Sequence, residues 1–293
     1  MSTDSNEFDP AAEAASPSAD ATPPATLPPP PAPDAHLPED IRVPWGLLDL
    51  FIFFGLGFGL LIVLTNVLAS MVASLGRMNP AQLQEFVMGN AGFIAIRQAL
   101  WFTLLILYLA VHVRARAAAG ENFWRLLGWR GLRVGTLGRP AAVMACLLGG
   151  ITLAIAVQVA SVAAGRPEQL PIEQFFQSAS NVMWMMAVGV LIAPLAEEMI
   201  FRGYFYPALA RRLGVPGGVL ATGLLFGLLH AQQLWGGWAQ IALLVIVGVV
   251  FTYVRARTGS VVAPFLLHLG YNSILFLAFF FATGGLRNLP GTP

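Results

Sequence analysis

Apolar residues run through this chain in long blocks broken by short polar turns, from Pro44 almost to the C-terminus. A helix that spans a bilayer needs about 20 predominantly apolar residues. Seven blocks come close to that length, near 47–75, 92–113, 141–163, 182–212, 216–234, 237–254 and 261–283. Their internal glycines and prolines do not count against them, because membrane helices tolerate both. The pattern predicts an all-α polytopic membrane helix bundle of about seven transmembrane helices.

Composition agrees with the pattern. Of 293 residues, 57% are hydrophobic and only 11% charged, against about 25% charged in an ordinary soluble domain. A mean hydropathy of +0.70 excludes a water-soluble fold of this size. The net charge of +1 makes no case for a nucleic-acid partner. The single cysteine, Cys146, lies in an apolar run and reads as a small buried hydrophobe.

Residues 1–41 are a different material. They are rich in Pro, Ala, Ser and Asp and hold eight of the fifteen acidic residues. Such a segment buries too little apolar surface to offset its ordering entropy, and reads as a disordered acidic cytoplasmic tail. The membrane domain is expected to occupy 42–293. No basic stretch precedes an apolar core at the N-terminus, so the tail does not read as a signal peptide.

Arginine placement orients the spans. Arg114, Arg116, Arg125, Arg130, Arg133 and Arg139 lie between the second and third, Arg211 and Arg212 after the fourth, and Arg255 and Arg257 after the sixth. The opposite side has Arg77, Arg166 and Arg287. The N-terminus is then cytoplasmic and the C-terminus outside. In the basic loop, Phe123, Trp124, Leu126, Leu127 and Trp129 alternate with arginines, as in a segment lying on the inner leaflet.

Ionisable residues inside spans are costly and mark function by default. Asp49, Arg97 and His112 lie near span ends, where an interface is within reach. The last four spans differ. The fourth carries Glu197, Glu198 and Arg202, the fifth Phe226 and His230, and the seventh His268 and Asn272. Glu198 and Arg202, four apart, share a helical face and can pair. Glu197 lies about 100° around the helix and is free for chemistry. Measured from the arginine-marked interface, Glu197 and His230 are each roughly 20 Å deep and His268 roughly 16 Å. Three helices thus bring ionisable groups to one level.

A carboxylate, two imidazoles and an amide can hydrolyse an amide bond. A desolvated carboxylate is a stronger base, and Glu197 with His230 is the candidate pair for activating water. Asn272 and His268 can supply donors to a developing oxyanion. Arg202 would hold Glu198. Glu197, His230 and His268 also make a two-His, one-carboxylate zinc set, although the spacing is not His-Glu-x-x-His and does not demand a metal.

These motifs, Glu-Glu-x-x-x-Arg, Phe-x-x-x-His and His-x-x-x-Asn on successive helices, resemble those of the CPBP intramembrane proteases, the CAAX protease or abortive-infection family. The resemblance covers about residues 180–280. It implies a membrane hydrolase similar to the type II CAAX prenyl endopeptidase, in a bacterial plasma membrane, acting on a membrane-embedded peptide or protein. It also implies that Glu197 and His230 activate water and that His268 and Asn272 form the oxyanion hole. The family is often labelled metallopeptidase, while a metal-independent glutamate mechanism has also been argued. Two other readings use the same residues. One is a non-catalytic immunity or scaffold protein. The other is an ion-coupled transporter, for which the expected repeat of broken helices in two halves is not seen.

Overall fold

A computed structural model describes residues 37–165 and 170–289. Most of the tail predicted over 1–41 lies outside the described residues. Its last part does not read as a tail: residues 37–41 pack onto the membrane domain, with Ile41 1% exposed against Tyr206, Ala210 and Val219.

The described residues are helical apart from turns. The first spans are α1 (Leu47–Gly76), the short α2 (Pro80–Gly89) and α3 (Ala91–Arg116). The basic loop contributes one turn, α4 (Phe123–Leu126), before α5 (Arg139–Ala163). That loop does more than lie on the membrane surface: Phe123 and Leu127 are buried in the main core, while Trp124 is exposed. Last come α9 (Trp238–Thr258) and α10 (Val262–Ala282).

Between α5 and α9 runs one continuous apolar helical unit, Ala179–Leu229, built in pieces. α6 (Ala179–Ala187) passes into a π-helical stretch, Val188–Ile192, then α7 (Ala193–Glu197). A second π-helical stretch, Glu198–Phe205, leads into α8 (Tyr206–Leu229). Pro194 and Pro207 each follow a π stretch at the start of the next α segment. A proline lacks the N–H that would close the regular ladder, so the backbone ahead of it is free to widen.

Six helices among the described residues are long and apolar enough to cross a membrane, where seven were predicted. The fourth and fifth predicted spans are the two arms of the 51-residue unit. They meet at Gly214, whose φ of 72° is left-handed, and Gly218 then lies against the backbone of Ala210. The chain therefore turns back on itself there. At 1.5 Å per residue the second arm, 215–229, spans roughly 22 Å, short of the roughly 30 Å of a bilayer core. It was predicted to continue to 234. Its C-terminus thus ends at membrane depth, which matters for His230.

Two helix pairs set the frame of the site. On α8, Gly223 and Gly227 face the backbone of Val249 and Val245 on α9, leaving no room for a Cβ at either glycine. A Cβ at Gly150 of α5 would likewise overlap the Leu267 carbonyl of α10. Close approach through small residues is the usual means of helix association in lipid. Cys146 packs in the second core cluster with Phe251, Leu267 and Tyr271, a free buried thiol as predicted.

Candidate active site

Glu197 closes α7 and Glu198 opens the π stretch, so the two carboxylates sit at a change of helical pitch. Glu198 and Arg202 are both 0% exposed. Arg202 Nη1 donates to Glu198 Oε1 at 2.9 Å, the pairing expected from their spacing. Its other nitrogens reach α9, where Nη2 donates to the Gly248 carbonyl at 2.9 Å and Nε to Thr252 Oγ1 at 3.2 Å. The guanidinium also lies 4.5 Å from the Phe226 ring centroid and 5.4 Å from that of Phe251. A buried guanidinium persists only when its donors are matched, and here one carboxylate, one carbonyl, one hydroxyl and two ring faces match them.

His268 of α10 joins the two carboxylates. Its Nδ1 lies 2.9 Å from Glu198 Oε1 and its Nε2 3.9 Å from Glu197 Oε2. Glu198 Oε1 accepts from Arg202 Nη1, and Nδ1 donates to the same oxygen. The two glutamates, expected to face apart, are therefore bridged by one imidazole.

His230 reaches Glu197 from the other side. It is the C-cap of α8 and not an interior residue of a span, because the helix stops at Leu229. Its backbone N–H turns to the Gly227 carbonyl at 3.2 Å, leaving the Phe226 carbonyl without its regular helical donor. The His230 ring fills that vacancy, with Nδ1 donating to the Phe226 carbonyl at 2.7 Å. Nε2 is thereby turned toward Glu197 Oε1, 3.8 Å away. The Phe226 ring packs against both imidazoles, at 4.7 Å from His230 and 5.9 Å from His268.

Asn272 is placed differently from its companions. Its Nδ2 donates to the carbonyl of Gly189 at 2.6 Å, in the first π stretch, and so ties α10 to the helical unit that carries Glu197. One amide hydrogen is used there and the second is left over.

Glu197, His230 and His268 have the donor chemistry of a zinc site, and each imidazole has its other nitrogen oriented by an acceptor. Their 3.8 and 3.9 Å separations exceed the roughly 3.3 Å between neighbouring ligands of a tetrahedral zinc. Among the described residues, no group of three His, Cys, Asp or Glu side chains is arranged to hold a metal ion.

Comparison with known proteins gives the same segment. Residues 179–274 match the family model described as type II CAAX prenyl endopeptidase Rce1-like. This segment is similar to the Rce1-like family. It holds every motif residue above and excludes α1–α5, as the resemblance implied. An uncharacterized 24.3 kDa protein of Escherichia coli is 31% identical over 113 residues, 36% of this chain and 51% of that protein. The chain thus spans about half the length of the curated relative it matches. No solved structure matches.

Sequence reasoning missed the part of the site that α9 supplies. Gly248 and Thr252 carry no charge, yet they take two of the three donor groups of Arg202. The available signal was a Gly-x-x-x-Thr spacing that puts a small and a polar residue on one helical face of an apolar run. Gly189, the acceptor for Asn272, gave no signal at all.

Proposed function

We propose that this protein is a membrane-embedded endopeptidase, in which Glu197 and His230 activate a water and His268 and Asn272 stabilise the oxyanion. The reading rests above all on one observation: Glu197 faces the Nε2 atoms of two imidazoles, at 3.8 and 3.9 Å, whose Nδ1 atoms are already committed.

A water between Glu197 and His230 donates one hydrogen to the carboxylate and one to Nε2, so its remaining lone pairs are free to attack. The oxygen adds to the scissile carbonyl, and the water's proton passes to Glu197. The tetrahedral oxyanion is met by the unused Asn272 amide hydrogen and by His268. Since His268 spends one N–H on Glu198, it donates from Nε2 only as an imidazolium. The Glu198 carboxylate stabilises that form as a triad acid does, with Arg202 holding Glu198 in place. Collapse of the intermediate returns the proton from Glu197 to the leaving amine, and the peptide bond breaks.

The family description names a CAAX prenyl endopeptidase, and a membrane protein or peptide is the proposed substrate class. The arginine-rich side, with the N-terminus, is proposed to face the cytoplasm of a bacterial cell. The test compares protein termini by mass spectrometry in cells with wild-type protein and cells with Glu197→Gln at equal expression. Termini lost only in the variant support proteolysis and name the substrate. Unchanged termini, with a deletion phenotype that Glu197→Gln rescues, would replace the protease with the scaffold. Adding 1,10-phenanthroline, then zinc, to purified protein tests the metal: inhibition reversed by zinc assigns an ion to Glu197, His230 and His268.

A further inference from the structure

Away from the Rce1-like site, at the arginine-rich end of the bundle, is an open polar cavity of about 990 Å³. Arg125, Arg130, Arg133 and Arg139 line it, as do the acidic residues Glu39 and Asp40. The Asp40 carboxylate is taken by Arg255 at 2.7 Å. Among the described residues, Glu39 alone faces the others, bridging Arg125 at 3.2 Å and Arg130 at 3.3 Å. Positive charge therefore remains in excess.

Two independent features show what the cavity favours. α5 starts at the wall with Gly138 as N-cap, which has no side chain to accept the first-turn N–H groups. A helix N-terminus of this length favours an anion. Finally, Glu39 shows the seat that an anionic oxygen takes, between two guanidiniums.

The cavity lies where α5 begins and α9 ends, and both are apolar enough to span. That places it at headgroup level. Trp124, 51% exposed on the same loop, belongs to the residue type that collects there. We propose that this cavity binds the phosphate of an anionic phospholipid headgroup, with Arg133 and Arg139 as its principal contacts and Glu39 as a competing internal anion. Lipid is the source because the cavity opens at the bilayer surface, where lipid phosphates are concentrated and anionic headgroups hold basic residues.

The experiment is native mass spectrometry of the full-length protein in detergent, titrated with dioctanoyl phosphatidylglycerol, dioctanoyl phosphatidylcholine or inorganic phosphate. Phosphatidylglycerol should bind at least about tenfold more tightly than phosphatidylcholine, and the R133Q/R139Q variant should lose roughly tenfold in that affinity. R133K/R139K should retain most of it, and E39Q should raise it. Both arginines are exposed, so the double variant should fold, and E39Q tests the site independently if it does not. Equal binding of the two lipids, or no change in R133Q/R139Q and E39Q, overturns the proposal. Displacement of phosphatidylglycerol by an equal concentration of inorganic phosphate overturns lipid as the source.

Discussion

Two buried clusters in this protein share one chemical makeup: acid, histidine and arginine. In the first, Asp49 binds Arg116 at 2.6 Å, accepts the Gly46 N–H at 2.8 Å and lies 3.6 Å from His112. In the second, Glu197 and Glu198 meet Arg202, His230 and His268. The first is explained by helix ends alone. Asp49 is in the first turn of α1 and Arg116 in the last turn of α3, where the helix dipoles favour those charges. Its acid is closed, with strong partners on both oxygens. The second lies at a pitch change inside an apolar helical unit and has no such local reason. Its Glu198 and Arg202 are closed on each other, while Glu197 faces two imidazole nitrogens across gaps near 4 Å. The proposed function rests on that open valence, which the residue types alone do not reveal.

The comparison breaks most sharply on Glu197→Gln. Cleavage of an identified substrate should fall about a thousandfold, as for loss of a general base, while the unfolding midpoint in detergent holds. Asp49→Asn should leave cleavage within about twofold, and an equal loss in the two variants would abolish the distinction.

Arg202→Ala should cost about 3–5 kcal/mol of stability by denaturant unfolding, since it strands the fully buried Glu198. An unchanged midpoint would mean that Glu198 finds another partner. Gly150→Leu should destabilise by about 1–3 kcal/mol, because α5 and α10 touch at that backbone, and should lower activity by moving His268. Asp49→Asn should cost only about 1 kcal/mol, Arg116 being partly solvated.

The smallest effect belongs to Glu39. Arg130 first, and then Arg125, hold its carboxyl below the usual carboxylate range. A pairing that lowers the folded-state value stabilises above the ordinary carboxylate pKa and is lost as pH falls through the lowered one. Glu39→Gln should flatten that acid limb slightly. It is exposed, so the difference is small and should vanish in high salt.

Much of the bundle was legible because its signals are local. Spans follow from runs of apolar residues, and five of the seven predicted ranges match single helices within a few residues. The Glu198–Arg202 pair follows from a four-residue spacing. The misreadings are equally physical. The fifth span was carried past Leu229 because hydropathy registers apolar residues, not where the backbone stops being helical. Residues 37–41 were assigned to the tail because their polarity hid Asp40 and Ile41, whose partners lie more than 160 positions away.

The sequence by itself determined an all-helical membrane chain and led to the expectation of Glu197, His230 and His268 at similar depth, since composition and periodicity are properties of neighbours. Only the tertiary structure decided which nitrogen of each imidazole faces Glu197, that His268 touches both glutamates, and that α9 anchors Arg202. Those depend on helix ends, π stretches and glycine contacts between elements far apart in the chain. No spacing rule records such contacts, because they come from packing in three dimensions.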